Sequence, residues 1–173
     1  GPLRRPKIRF KMPAGVTAHV LGQSWQVGGI DLEVDQEGLA LRLLQAGGKT
    51  GGEIQVEGHM RFVPKTMPMQ WRLRVTDFPV AAALAAAQVD LPASGRLSAD
   101  LHLSGSRKAP LVSGSIGLAG VTVMGVALGD ATLTLGAMES GVAVKGTIFN
   151  RFTVDATAQL NPAGLRANGS LSF

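Results

Sequence analysis

Gly95-Arg96-Leu97-Ser98-Ala99-Asp100-Leu101-His102-Leu103-Ser104-Gly105 decides the fold. Leu97, Ala99, Leu101 and Leu103 alternate with Arg96, Ser98, Asp100 and His102. A period of two sends alternate side chains to opposite faces of a strand. The beat continues downstream. Val142 and Val144 alternate with Gly141, Ala143 and Lys145, and Val154, Ala156, Ala158 and Leu160 alternate with Asp155, Thr157 and Gln159. No helical period interrupts residues 95–173. The expectation is an all-β chain, a long, curved, mainly antiparallel sheet with one continuous apolar face.

Working outward, the second half reads as strands over 95–104, 111–118, 121–128, 131–135, 141–149, 151–160 and 165–173. Gly129-Asp130 is expected as one of the short turns between them, and Arg107-Lys108 as the tip of another. The first half reads as strands over 8–12, 16–21, 25–34, 39–44, 53–62 and 69–76. Gly28-Gly29 marks a bulge. Asp35-Gln36-Glu37-Gly38 marks a hairpin turn. Residues 46–52 read as a Gly-rich loop, and Pro64 to Pro68 as a turn. Asp77-Phe78-Pro79 then breaks the pattern. The Ala-rich run after it, with Leu84 at its centre, predicts one short helix near 80–87, with Pro79 suited to its start. Such a helix is too short to stand alone and must dock. Brief links favour sequential antiparallel neighbours. A dozen strands in one sheet curl, split or close, so a sandwich, a small barrel and an open gutter all fit the pattern.

The chain has 173 residues, which suits one domain. It begins Gly1-Pro2, read as the scar of a cleaved tag, and the whole of 1–173 is expected to be one segment of a longer protein. Within it, 3–76 hold the N-terminal strands, 77–94 the helix and linker, and 95–173 the C-terminal strands. Hydrophobic residues are 45 % but aromatics only 5 %, Tyr is absent and Gly numbers 23. The apolar content is therefore Val, Leu and Ala. No apolar run reaches the ~18 residues of a spanning helix. With no cysteine there is neither a disulfide framework nor thiolate chemistry.

The net charge is +5. Much of it lies in Arg4, Arg5, Lys7, Arg9 and Lys11, and from Lys7 the charges alternate with Ile8, Phe10 and Met12. This predicts an edge strand with one basic face, read as solvated rather than as a contact for anionic lipid. Nucleic-acid binders interleave exposed aromatics with Lys and Arg. Here Trp25, Trp71, Phe62 and Phe78 are expected in the core, so no nucleic-acid partner is expected.

Catalytic and metal chemistry find no foothold. His19, His59 and His102 lack metal-ligand spacing. Leu103-Ser104-Gly105-Ser106 does not match a nucleophile elbow, and Ser113-Gly114-Ser115 lies inside a strand. Asp31, Glu33 and Asp35 share one strand face and read as a solvated edge. Gly47-Gly48-Lys49-Thr50-Gly51-Gly52 misses the phosphate-loop pattern, because Leu43 stands where its first Gly is required. No enzyme activity, catalytic residue, metal site or cofactor is expected.

Three runs carry a family likeness: Gly95 to Gly105, Pro110-Leu-Val-Ser-Gly114-Ser-Ile-Gly-Leu118, and Val123-Met-Gly-Val-Ala-Leu-Gly-Asp130. Together with Asp77-Phe78-Pro79 before a short helix, they make residues 77–173 resemble TamB and the wider AsmA-like proteins. The resemblance implies a periplasmic protein of a Gram-negative bacterium, anchored in the inner membrane outside this segment. It implies a β-groove (β-taco) with an apolar interior, and roles in phospholipid transport between membranes and in outer-membrane protein assembly. Its implied partners are phospholipid acyl chains, an outer-membrane Omp85-type barrel and unfolded outer-membrane proteins. Such proteins are far longer than this chain.

The residues expected to line the apolar face are Leu97, Leu101, Leu103, Ile116, Leu118, Leu133, Leu135, Val142, Val144, Ile148, Val154, Leu160, Leu165 and Leu171. A slip of one residue would flip any strand's set. Two alternatives stay open at this point. The same residues could form the dry core of a closed structural or adhesive β-module. An open edge could instead take up a client's strand, or pair edge to edge with a second copy.

Overall fold

The structure is a computed structural model that describes residues 7–20, 23–48, 51–63, 67–106, 109–139, 141–161 and 164–173, with the side chains of 18–20, 23, 86, 160–161 and 164–167 set aside. Gly1-Pro2, Arg4, Arg5, Lys49-Thr50, Pro64 to Thr66 and Arg107-Lys108 therefore lie outside the described residues. So do the side chains of His19, Leu160 and Leu165.

Twelve strands form one sheet: β1 (Lys7–Met12), β2 (Val16–Val20), β3 (Gln23–Asp35), β4 (Gly38–Gly48), β5 (Glu53–Arg61), β6 (Met69–Pro79), β7 (Ala93–Ser106), β8 (Ala109–Val123), β9 (Val126–Met138), β10 (Gly141–Ile148), β11 (Phe152–Asn161) and β12 (Gly164–Ser172). Among the described residues a single helix, α1 (Val80–Ala86), connects β6 to β7. From β3 onward each strand pairs antiparallel with the next, and β1 and β2 share the outer edge of β3. The order runs from β1 to β12 without closing. The sheet is open, neither a barrel nor a sandwich. At ~4.8 Å per strand spacing, its ten spacings span about 48 Å.

Bulges keep the apolar side chains on one face. The register of β3 on β4 shifts between Val27 and Gly29, where the Gly28-Gly29 bulge is expected. A second shift lies between Val75 and Phe78. The extra residue is Asp77, with φ of +51°. It carries Phe78 to the same side as Val75, where Phe78 becomes one of five buried hydrophobic residues. Its backbone is held from β7: the Ser98 hydroxyl accepts from the Asp77 N–H, and Arg96 donates to the Asp77 carbonyl.

Helix α1 starts after Pro79 and ends one residue before the expected limit. It closes in a Schellman motif. The Val89 N–H donates to the Leu84 carbonyl and the Gln88 N–H to that of Ala85. Gln88 thus occupies the left-handed position, φ +58°, that glycine normally fills. A Gln88→Gly chain is expected to gain about 1 kcal/mol and to show a raised midpoint in urea unfolding.

Three expectations need correction. First, 46–52 is not all loop, because β4 runs on to Gly48. Second, residues 111–128 are not two strands. β8 is continuous to Val123 with a bulge at Ala119 to Val121, and the chain reverses at Met124-Gly125, both in positive φ. Gly129-Asp130 lies inside β9. It is not a turn there; the Asp130 carboxylate accepts the Gly120 N–H at 2.8 Å and clamps the β8 bulge. Third, of the aromatics expected in a core only Phe78 is buried, while Trp25, Trp71 and Phe62 are half-buried.

Candidate functional site

Residues directly opposite in an antiparallel ladder point to the same side. One such set crosses the whole sheet. It can be followed from Leu73 on β6 to Leu101, Gly114, Leu135, Val144, Ala156 and Gly169 on β7 to β12. A parallel row runs Val75, Ala99, Ile116, Leu133, Gly146, Val154 and Leu171. The next runs Phe78, Leu97, Leu118, Ala131, Ile148 and Phe152. On the other side of the first, Trp71 is opposite Leu103 and Leu103 opposite Val112, and further along Ala137, Val142 and Ala158 continue it.

All of the expected lining residues with described side chains share this face: Leu97, Leu101, Leu103, Ile116, Leu118, Leu133, Leu135, Val142, Val144, Ile148, Val154 and Leu171. Leu160 and Leu165 are opposite one another at the start of the last ladder. The list stopped too early. The first half extends the same face through Ile54, Val56, Trp71 and Leu73, and through Ile30, Leu32 and Leu44 on β3 and β4. The alternation of Met69-Gln70-Trp71-Arg72-Leu73-Arg74-Val75 carries that signal as clearly as β7 does.

Over most of its length the face is uncovered. Most of its named residues are half-buried, Phe78 and Ala131 are buried, and Ala137, Gly169 and Leu171 are exposed, while no large side chain anywhere among the described residues is fully buried. The chain presents 11455 Å² to solvent. A compact folded monomer of 17.9 kDa presents about 8,000 Å². The excess is what one sheet with no second layer on its greasy side should show.

One end is closed off by its own side chains. Trp25 of β3 and Phe78 of β6 stack with ring centroids 5.4 Å apart, though three strand spacings, about 14 Å, separate their backbones. Gly48 at the end of β4 and Gly52 just before β5 lie between them and put no side chain in the way. The rings lean toward each other across the apolar side, so this side is the inside of the bend. Phe78, Ala82 of α1 and Val121 are buried at this end. Elsewhere glycine keeps the floor low: Gly58 faces Trp71, Gly114 faces Leu101 and Gly146 faces Leu133.

The opposite face is polar and knitted by cross-strand ion pairs. Arg72 grips Asp100 through two hydrogen bonds of 2.9 and 2.6 Å, with Arg74 and His102 on either side. Lys145 meets Asp155 at 3.1 Å. His59, His102 and Asp100 belong to this face by register. Asp31 and Glu33 are not the solvated edge expected of them. Arg9 makes a two-pronged contact to Asp31, and Lys7 and Arg42 both reach Glu33. The basic face of β1 is thus spent on β3. Asp35 accepts the N–H groups of Glu37 and Gly38 and fixes the hairpin turn. Among the described residues no three His, Asp or Glu side chains gather as metal ligands.

The hydrogen bond from Arg72, more than its charge, holds the Asp100 carboxyl below its ordinary value, against a weaker opposing push from burial. A carboxyl depressed on folding stabilises the fold above its unfolded value and loses that contribution as pH falls through the folded value. The melting temperature of the native chain is therefore expected to fall on acidification below pH ~4, and that of Asp100→Asn to fall less. The contribution is small, because the pair is exposed to solvent.

Among the described residues no helix is long and apolar enough to cross a membrane. No family model matches the chain, and no curated protein or solved structure matches it.

Proposed function

We propose that the chain is a hydrocarbon-holding groove, a segment of a TamB-like periplasmic protein that shields phospholipid acyl chains on their way between inner and outer membranes. The observation that carries this reading is the apolar face running from β1 to β12, uncovered except at the end closed by Trp25, Phe78 and α1. A face of that size does not stay in water; something apolar covers it. Leu, Val, Ile and Ala supply a smooth wall without hydrogen-bonding groups. Each buried CH₂ contributes about 0.8 kcal/mol whatever its position, so a chain can slide. One leaflet of a ~30 Å hydrocarbon core is about 15 Å deep, so the ~48 Å sheet exceeds one acyl chain in length. The resemblance of residues 77–173 to TamB and AsmA-like proteins supports the same reading, and with it help to outer-membrane proteins and an Omp85-type barrel as a partner. No catalytic group is required.

The test is direct. Lipid mass spectrometry of the purified chain should find co-purified phospholipid, and a fluorescent fatty acid should brighten on addition to delipidated protein. A clean chain that never takes up the probe would sink the proposal in favour of a face covered by protein.

A further inference from the structure

On its β10 side the hairpin between β8 and β9 outruns the sheet, while on the other side β7 pairs with β8 up to Val123. β10 pairs with β9 only from Met138 back to Ala131, where Ile148 is opposite. The residues from Asp130 to Val126 have β8 on one side and no ladder partner on the other among the described residues. This ribbon projects about 16 Å past the end of β10, five residues at ~3.3 Å. From Ala119 to Gly129 it carries no charged side chain. Its tip is apolar and wet, with Met124 73 % and Val126 61 % exposed. The linker after α1 adds Val89 and Leu91 beside it, tied on by the Met124 N–H donating to the Pro92 carbonyl at 2.8 Å. Asp90 is the one charge in that linker.

The turn breaks its own local rule. A two-residue hairpin with positive φ at both positions selects Asn, Asp or Gly at the first. Here that position is Met124, φ +50°, followed by Gly125, φ +80°. The next hairpin on the same side, a three-residue loop, also places a large apolar residue in positive φ, Phe149 at +53°, before Asn150. Among the described residues the remaining large apolar residue in this conformation, Met67, lies on the opposite side in a longer connection. A residue held against turn chemistry and also against hydration serves something outside the chain.

We infer that the β8–β9 tip is a membrane-docking finger, inserted among lipid headgroups and the first acyl carbons. The inference rests on the groove reading for what the docked chain does next. A fluid lipid surface accepts a small apolar corner, whereas a stable protein interface needs about 800 Å² of matched surface on each partner. The tip is also continuous with the groove, since its two strands lead back, through the bulge at Ala119 to Val121, to Leu118 and Ala131 on the apolar face. Hydrocarbon leaving a bilayer at this point need not cross open water.

The test uses the full 173-residue chain and phosphatidylcholine vesicles of neutral net charge. The native chain should co-float with vesicles. Met124→Asn and Val126→Thr should each cut the floated fraction about fivefold. Met124→Asn should melt higher, because Asn suits the turn, so reduced binding cannot be blamed on unfolding. Uptake of a fluorescent fatty acid in vesicle-free buffer should be unchanged in both variants. Failure of that uptake in the native chain, with tip-dependent flotation kept, would fell the groove and spare the finger. No flotation of the native chain, equal flotation of the variants, or a native dimer that Met124→Asn makes monomeric would overturn the finger.

Discussion

Leu101→Asp and Val144→Asp are each expected to lower affinity for a fluorescent fatty acid by at least tenfold while the far-ultraviolet spectrum stays that of β-sheet. Leu101 stands opposite Leu73 and Gly114, and Val144 opposite Leu135 and Ala156, all on the apolar face. Removing one such side chain from contact with hydrocarbon forfeits about 1.5–3 kcal/mol, and 1.4 kcal/mol is already a factor of ten. The carboxylate adds its own desolvation, since a passing acyl chain would strip its water. The fold survives because the face is open: neither residue is buried, and a charge there still reaches solvent when no guest is bound. Thr134→Asp is the control. Thr134 lies on the outer face opposite Lys145 and Ser115, so it should leave uptake unchanged. Equal loss in all three variants would show that uptake does not discriminate the faces.

Gly114→Val is expected to cost about 3 kcal/mol or more and to lower the urea midpoint steeply. A Cβ at Gly114 would strike the Asp100 carbonyl oxygen and come within 2.9 Å of the Leu101 Cα. Backbone does not give way as a flexible side chain would. The residue also sits at φ +139°, which β-branched residues resist. Its position aggravates the effect, because β7 and β8 share a ladder from Ala93–Val123 to Ser106–Ala109. Gly117, on the same strand with only the Ser98 carbonyl near at 3.9 Å, is the comparison, and Gly117→Val should cost far less. Similar midpoints for the two variants would refute the argument from backbone contact.

The difference between these two glycines is invisible in the chain's letters, and the same holds for other features. The face itself was legible from Leu97, Leu101 and Leu103 onward, because alternation needs nothing but the strand's own geometry. The single helix was legible because Ala competes poorly for strands. Phase was harder. Gly28-Gly29 announces its bulge, whereas Leu41-Arg42-Leu43-Leu44 hides one: Leu41 and Leu44 face the groove and Leu43 turns out beside Asp31. Met124 masked a turn because Met is no turn former. Asp130 mimicked one because the same acceptor that closes an Asx-turn can clamp a bulge ten residues away. The partners of Asp31 and Glu33 were hidden too, since which cations meet which anions depends on how β1 lies on β3.

Apart from α1, nearly every contact in the fold joins a strand to the one beside it. Such a molecule is a one-dimensional array, and its stability is close to a sum of neighbour terms. Loss of the β11–β12 hairpin would shorten the trough without dissolving it, and addition of another hairpin would lengthen it by two spacings. On the proposed function, capacity is thus set by counting strands, and duplication can tailor reach while leaving the chemistry of the wall untouched.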